Sequence, residues 1–119
     1  MAGQGKARQG KATMISEKNV SDALAYLAVG GSAEAEAGHL AAERARERRE
    51  AEVFLSVAGS VRDREMRVRL DDEYQQLLAD EHAAKVELTK AKAREKGADK
   101  ICEIWRTLNA NARAAERVR

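Results

Sequence analysis

The longest run of regularly spaced apolar residues lies in DDEYQQLLADEHAAKVELTKAKAREKGADKICEIWRTL, residues 71–108. The apolar positions recur at steps of three and four residues, which place them on one side of an α-helix. They are Tyr74, Leu77, Leu78, Ala84, Leu88, Ala91, Ala98, Ile101, Cys102, Trp105 and Leu108. The pattern predicts one long helix that begins after Asp71 and continues toward the C-terminus. Gly97 is the point at which it could kink or break.

Capping residues and glycines predict two further helices, which lie before the long one in the sequence. The first begins at Ser16 or Asn19, either of which can accept a hydrogen bond from an unpaired amide, and it ends at Gly30-Gly31. The second runs from about residue 33 to residue 58, with Ser32 placed to cap it. Together these signals predict a short helix followed by a longer one.

The second predicted helix has a strongly charged middle, ERARERRE at residues 43–50. Opposite charges three and four residues apart support a helix, so this segment is expected to be exposed. Ser60 and Asp63 then form the pattern of a capping box, which predicts a short third helix ending at Leu70. Its expected apolar positions are Val61, Met66 and Leu70.

These segments predict an all-α protein, a long antiparallel helical hairpin of coiled-coil-like character with two short additional helices. The chain has no proline and few aromatic residues, which excludes most all-β folds. Residues 1–13 contain three glycines, three basic residues and nothing large to bury after Met1, so they predict a flexible basic tail. Residues 14–119 are expected to form a single helical domain.

Much of the apolar content is alanine, which buries little surface, so the core of a monomer should be thin and a protein partner or homo-oligomer is expected. The net charge is only +2 although 35% of the residues are charged, so acids and bases are interleaved. This balance disfavours a DNA mimic and a typical nucleic-acid-binding domain.

Location and membrane association follow from two further features of composition. A single cysteine, Cys102, excludes an internal disulfide and agrees with a reducing compartment. No run of about 18 apolar residues is present to span a bilayer, and the N-terminus lacks the apolar stretch of a signal peptide. The expectation is a cytoplasmic protein with no membrane contact.

No catalytic residue, cofactor site, metal site or small-molecule substrate is predicted. His39 and His82 are both interpreted as lacking an acid or cysteine at the spacing of zinc and iron sites. The acidic clusters fall at predicted helix starts, where carboxylates complement the free amides. Cys102 lies in an apolar stripe late in a helix, which favours a core position over a nucleophile. The protein is therefore expected not to be an enzyme.

The predicted partner-binding region is the C-terminal segment of the last helix. It combines the sole tryptophan with arginines, a mixture typical of interface anchors. Its residues are Trp105, Arg106, Leu108, Arg113 and Arg117. An alternative of equal weight is that Trp105, with Ile101, Ile104 and Leu108, closes the end of the hairpin core.

A second candidate site is a stripe of lysines on the same helix. At about 100° per residue, Lys85, Lys92, Lys96 and Lys100 share roughly one side and could follow the phosphates of a nucleic acid. The alternative is a solvated face, since Glu87, Glu95 and Asp99 dilute the positive charge.

Three short strings, GSVRDRE, DEYQQLL and IWRTLNANARAAER, resemble small helical proteins encoded by tailed bacteriophages and prophages. The resemblance covers about residues 20–117. It rests on Arg64-Glu65 after a small-residue turn, on Glu73-Tyr74 at a helix start, and on Trp105-Arg106-Thr107 followed by Arg113. Those proteins are often encoded near replication or recombination genes, which implies a phage accessory role and no particular activity.

The first functional hypothesis is accordingly a non-enzymatic phage accessory protein that acts in DNA replication or recombination through helix-mediated protein binding. One alternative is sequence-independent nucleic-acid binding by the lysine stripe. The other is inhibition of a host defence system or a host enzyme, for which the sequence offers no residue signature.

Overall fold

The computed structural model describes residues 15–118, with side chains through Arg117, and every regular element in that range is an α-helix. The helices are α1 (Glu17–Ala28), α2 (Ala33–Ser56), α3 (Val61–Leu70) and α4 (Asp72–Val118). The all-α prediction is confirmed, as is the single long helix at the C-terminal end. The predicted tail at residues 1–13 lies outside the described residues, as do Met14 and Arg119.

The ends of α1 follow the chemistry of helix capping. Ser16 Oγ accepts a hydrogen bond from the backbone N–H of Asn19 at 3.1 Å, so Ser16 is the cap. Gly30 and Gly31 adopt φ values of 103° and 57°, a region that glycine occupies without steric cost. The N–H of Gly31 donates to the carbonyl of Tyr26 at 3.0 Å, which satisfies one of the free carbonyls at the end of α1.

Side-chain hydrogen bonds also cap the N-termini of α3 and α4. Ser60 Oγ accepts from the N–H of Asp63 at 3.2 Å, and Asp71 Oδ2 accepts from the N–H of Tyr74 at 2.8 Å. Ser32, expected to cap α2, makes no capping hydrogen bond with its side chain. Helix α4 is 47 residues long and continues through Gly97 without interruption.

Two compact units can be distinguished among the described residues: residues 15–31 with residues 93–118, and Ser32–Lys92. The single domain expected over residues 14–119 stays a prediction.

The first unit joins α1 to the C-terminal half of α4. Its core consists of Ala23, Ala98 and Cys102, with Tyr26, Leu27 and Ile101 packed against it. The guanidinium of Arg94 lies 4.0 Å from the centre of the Tyr26 ring, a cation–π contact that covers one end of this core. Because the three central side chains are small, the core is thin, as the high alanine content predicts.

The second unit places α2 beside the N-terminal half of α4. Arg46 pairs with Glu81, and Arg49 pairs with Asp71. A later position on α2 thus meets an earlier position on α4, so the two helices run antiparallel in this unit. The charged middle of α2 was expected to be exposed and held by local pairs, but Arg46 and Arg49 are partly buried and reach across to α4.

Helix α3 packs on α2 through a side that the sequence reading did not select. Val68 is buried, whereas the expected apolar positions Val61, Met66 and Leu70 are exposed. Met66 and Leu70 lie on the side of the helix opposite Val68, and only one side of a short helix can face its neighbour. On α2, Val53 is buried and Leu55 is exposed.

Candidate functional site

The C-terminal part of α4 presents large apolar side chains to solvent. Trp105 is 39% exposed and Leu108 is 48% exposed, and Ile104 is exposed to a similar extent. These residues follow directly after Ile101 and Cys102, which pack in the core of the first unit. The apolar stripe of α4 therefore continues to Leu108, past the residues that pack in the core of the first unit.

Helical geometry arranges this region into two sides. At about 100° per residue, Ile101, Ile104, Trp105 and Leu108 span roughly a quarter of the circumference. Arg106, Arg113 and Arg117 share a narrower strip, displaced from Trp105 by about 80–120°. Trp105 thus lies at the edge of the apolar side that is nearer the arginines.

The backbone of this segment is regular α-helix, and two of its side chains donate hydrogen bonds to carbonyl groups of the preceding turn. Thr107 Oγ1 donates to the carbonyl of Glu103 at 3.1 Å, and Arg113 Nε donates to the carbonyl of Asn109 at 3.5 Å. Neither Arg106 nor Arg117 forms an ion pair with another residue in the range 15–118. Both guanidinium groups therefore remain available to an anionic group of another molecule.

The structure separates the four residues that were alternatively assigned to the end of the core. Ile101 is partly buried against the small core of the first unit, whereas Ile104, Trp105 and Leu108 are exposed. Trp105 is not among the residues that pack against this small core. The predicted contact residues lie together on the last turns of one helix, although whether they bind a partner stays a prediction.

The predicted lysine stripe also consists of exposed side chains. Lys85 and Lys92 belong to the second unit, and Lys96 and Lys100 belong to the first. None of the four forms an ion pair with another of the residues that the structure describes. The four ammonium groups are thus free to meet solvent or a polyanion.

The structure brings together a cluster that the sequence reading missed. His39 and Glu43 of α2 lie near Glu81 of α4, with one ligand atom from each residue within 4.8 Å of the other two. All three residues are partly buried. The four-residue step from His39 to Glu43 places both on one side of a helix, and this step is the signal in the sequence that points to the pair. Glu81 could be added only once the pairing of α2 with α4 was known.

Arg46 connects this cluster to its surroundings. Its Nε donates to Glu81 Oε2, and its Nη2 lies 3.4 Å from Glu81 Oε1. Its Nη1 donates to Glu50 Oε2 at 3.2 Å. The hydrogen bond to Glu81 is the main reason that the pKa of Arg46 is raised. The guanidinium therefore holds the Glu81 carboxylate in place beside His39 and Glu43.

Cys102 occupies the core position that its apolar neighbours predicted, with 2% of its surface exposed. None of the helices in the described part of the chain is both long and apolar enough to cross a bilayer. No protein-family model, curated protein or solved structure matches the chain.

Proposed function

We propose that the protein is a non-enzymatic binding protein that inserts the exposed apolar side of α4 into a groove of a partner protein. The side chains that enter the groove are Ile104, Trp105 and Leu108. The partner groove is apolar at its base and carries carboxylates along the rim that faces Arg106, Arg113 and Arg117. This is the helix-in-groove mode of recognition, in which residues spaced three and four apart serve as anchors.

The observation that carries this proposal is the exposure of Trp105 beside Leu108. A tryptophan offers one of the largest apolar surfaces of any side chain, and burial of such a residue at an interface often contributes 2 kcal/mol or more, as an order of magnitude. Isolated apolar residues are common on surfaces, but here three adjoin one another on one side of a helix. A contiguous patch of this kind supports a role in binding.

Charge supports an acidic rim on the partner. From Ile104 to Arg117 the helix carries three arginines and a single acid, Glu116. Interfaces are bordered by polar residues, and complementary charges across that border increase the rate of association and favour the correct partner. A partner with carboxylates at this rim would therefore be selected over a neutral groove.

The proposed biological setting is that of a phage accessory protein in DNA replication or recombination, in the cytoplasm of a bacterial host. This setting is supported by the resemblance of GSVRDRE, DEYQQLL and IWRTLNANARAAER to phage-encoded helical proteins. A partner from the host would instead favour the inhibitor hypothesis. A second copy of the chain as the partner would make the protein a homo-oligomer.

The first experiment compares three full-length variants as bait in lysate from infected and uninfected host cells. Trp105→Ala and Leu108→Ala remove the proposed anchors. Leu55→Ala is a matched control, because Leu55 is an exposed apolar residue on α2. The expected result is a protein that wild type and Leu55→Ala capture equally, and that both anchor variants capture at least about tenfold less, the factor that about 1.4 kcal/mol gives.

The captured partner is then purified and titrated against the chain with Trp105 fluorescence as the signal. Because Trp105 is the sole tryptophan, its emission reports burial of this position directly. The expected result is a shift of emission to shorter wavelength on binding, and weaker binding as salt is raised. Equal capture by wild type and the folded Trp105→Ala variant would contradict the proposal. Light scattering on the free protein tests whether the partner is a second copy.

A second candidate function is sequence-independent binding of nucleic acid. The observation that favours it is that Lys85, Lys92, Lys96 and Lys100 are all exposed and lack ion pairs within the described range. Phosphate binding releases counterions, so affinity for a single-stranded or duplex DNA should fall steeply with salt. No detectable binding at about 50 mM salt would eliminate this candidate.

A further inference from the structure

We propose that His39, Glu43 and Glu81 form a binding site for one divalent first-row transition-metal ion, with Zn²⁺ as the probe. This site is independent of the proposed partner surface. It lies wholly within the second unit, whereas Trp105 and Leu108 belong to the first.

The first argument is geometric. His39 and Glu43 are four residues apart on α2, and Glu81 approaches them from α4, with their ligand atoms within 4.8 Å of one another. Zinc binds imidazole nitrogen and carboxylate oxygen at about 2.0–2.2 Å, so two ligands of one ion are at most about 4 Å apart. The long side chains of the two glutamates can supply the remaining contraction by small rotations, without movement of either helix.

The second argument is that two of the three ligands have no partner among the residues that the structure describes. His39 and Glu43 are partly buried, yet neither forms a hydrogen bond or ion pair with another residue in the described part of the chain. Partly buried polar groups generally satisfy their hydrogen-bonding capacity with protein, water or an ion. An imidazole nitrogen and a carboxylate oxygen can each offer a lone pair to a cation.

The third argument concerns Arg46, which holds the third ligand. Its guanidinium contacts both oxygens of the Glu81 carboxylate. Each carboxylate oxygen has a further lone pair that a metal ion can use. Carboxylates that bind metal ions are commonly oriented by such outer hydrogen bonds. Arg46 thus acts as a positioning residue for Glu81.

The positive charge of Arg46 does not exclude a cation, because acids surround it. Besides Glu81, its guanidinium lies 3.2 Å from Glu50 and 4.0 Å from Glu47. The cluster and its surroundings thus contain four carboxylates, with Glu43 included, and one arginine. The local charge therefore favours a divalent cation.

The ligand types indicate the class of metal. One imidazole nitrogen with two carboxylate oxygens suits zinc and its neighbours in the first transition row, whereas calcium and magnesium prefer sites made wholly of oxygen. Three protein ligands leave at least one position for water, so the site is an open one. Because the ligands come from two helices, the bound ion would link α2 to α4.

The test measures Zn²⁺ binding by isothermal titration calorimetry to the full chain without a histidine tag. Four proteins are compared: wild type, His39→Ala, Glu43→Gln and His82→Ala. His82 is the matched control, because it is the other histidine of the chain and lies one residue beyond Glu81 without belonging to the cluster. Circular dichroism verifies that each variant is helical.

Wild type and His82→Ala are expected to bind one Zn²⁺ per chain with equal affinity. His39→Ala and Glu43→Gln are expected to bind about 10- to 100-fold more weakly or not at all, since the loss of a ligand costs at least as much as the loss of its outer partner. Zn²⁺ should also raise the Tm of wild type and of His82→Ala, and not that of His39→Ala, because an ion that binds the folded state stabilises it.

A Co²⁺ titration followed by visible absorption supplies an independent readout of the ligands. The expected spectrum has d–d bands without a thiolate charge-transfer band, which distinguishes this site from binding at Cys102. The proposal is overturned if wild type binds no Zn²⁺, if His82→Ala weakens binding as much as His39→Ala, or if a thiolate band appears.

Discussion

Arg49 and Asp71 are joined by two parallel hydrogen bonds, from Nε to Oδ2 and from Nη2 to Oδ1, each 2.8 Å long. The Oδ2 atom of Asp71 also accepts from the backbone N–H of Tyr74 at 2.8 Å. One carboxylate therefore links α2 to the start of α4 and caps α4 at the same time. Bidentate pairs of this kind are stronger and more specific in geometry than ordinary surface ion pairs.

Substitution Asp71→Asn is expected to lower the Tm of the protein. Asparagine still caps a helix well, so the main loss is the charged double hydrogen bond to Arg49. Thermal unfolding followed by circular dichroism measures the effect. Asp72→Asn serves as the control, because Asp72 is an exposed neighbour in the first turn of α4 and should cost less. An equal decrease for both variants would contradict the role assigned to the pair.

The stability that Asp71 contributes is expected to depend on pH. The Arg49 guanidinium, followed by the N–H of Tyr74, lowers the pKa of Asp71 from 3.8 to about 2. Because the folded-state pKa is the lower one, the contribution is complete above the unfolded pKa of 3.8 and is lost as pH falls through about 2. Urea unfolding of wild type and Asp71→Asn at several pH values checks this. The difference between the two should be constant above about pH 5 and should shrink toward pH 2.

Two glycines are expected to respond in opposite directions to alanine. Gly31 has a φ of 57°, and a Cβ built there would lie 2.5 Å from Glu95 Oε2, so Gly31→Ala should destabilise by about 1–2 kcal/mol. Gly38 lies inside α2 with nothing within 4 Å of a Cβ, so Gly38→Ala should stabilise by about 0.5–1 kcal/mol. Denaturant unfolding gives both values. A Gly31→Ala variant as stable as wild type would contradict the first prediction, and a Gly38→Ala variant less stable than wild type would contradict the second.

Val68 and Met66 lie on opposite sides of α3 and test which side of that helix is buried. Val68 is 5% exposed and Met66 is 52% exposed. Val68→Ala should lower the free energy of unfolding by about 2 kcal/mol through the loss of buried methyl groups. Met66→Ala should change it by less than about 0.5 kcal/mol. A larger cost at Met66 would return α3 to the orientation that the sequence alone suggested.

The helices could be predicted because their signals are local. Ser16, Ser60 and Asp71 cap helices through hydrogen bonds to residues three positions later, and Gly30-Gly31 supplies the turn conformation that other residues rarely adopt. Such contacts need no knowledge of the rest of the fold. Gly97 was undecided because a glycine inside a helical pattern is compatible with a break and with a continuous helix, and α4 is continuous there.

The contacts between helices could not be predicted in the same way. The side of α3 that faces α2 depends on how the turn at Gly59 directs the chain, and Val68 therefore replaced Met66 and Leu70 as the buried residue. Likewise, the pairing of Arg46 with Glu81, in addition to Glu50 of its own helix, depends on the register of α2 against α4. The His39, Glu43 and Glu81 cluster is a product of that register.

Because Cys102 is buried, the rate at which its thiol is labelled measures how often the first unit opens. It is the sole thiol of the chain, and it is enclosed where α1 packs on α4. A thiol reagent can reach it only when α1 separates from α4, so the labelling rate counts those events. The Arg49–Asp71 pair belongs to the other unit. A comparison of labelling rates in wild type and Asp71→Asn would therefore show whether destabilising the second unit makes the first unit open more often.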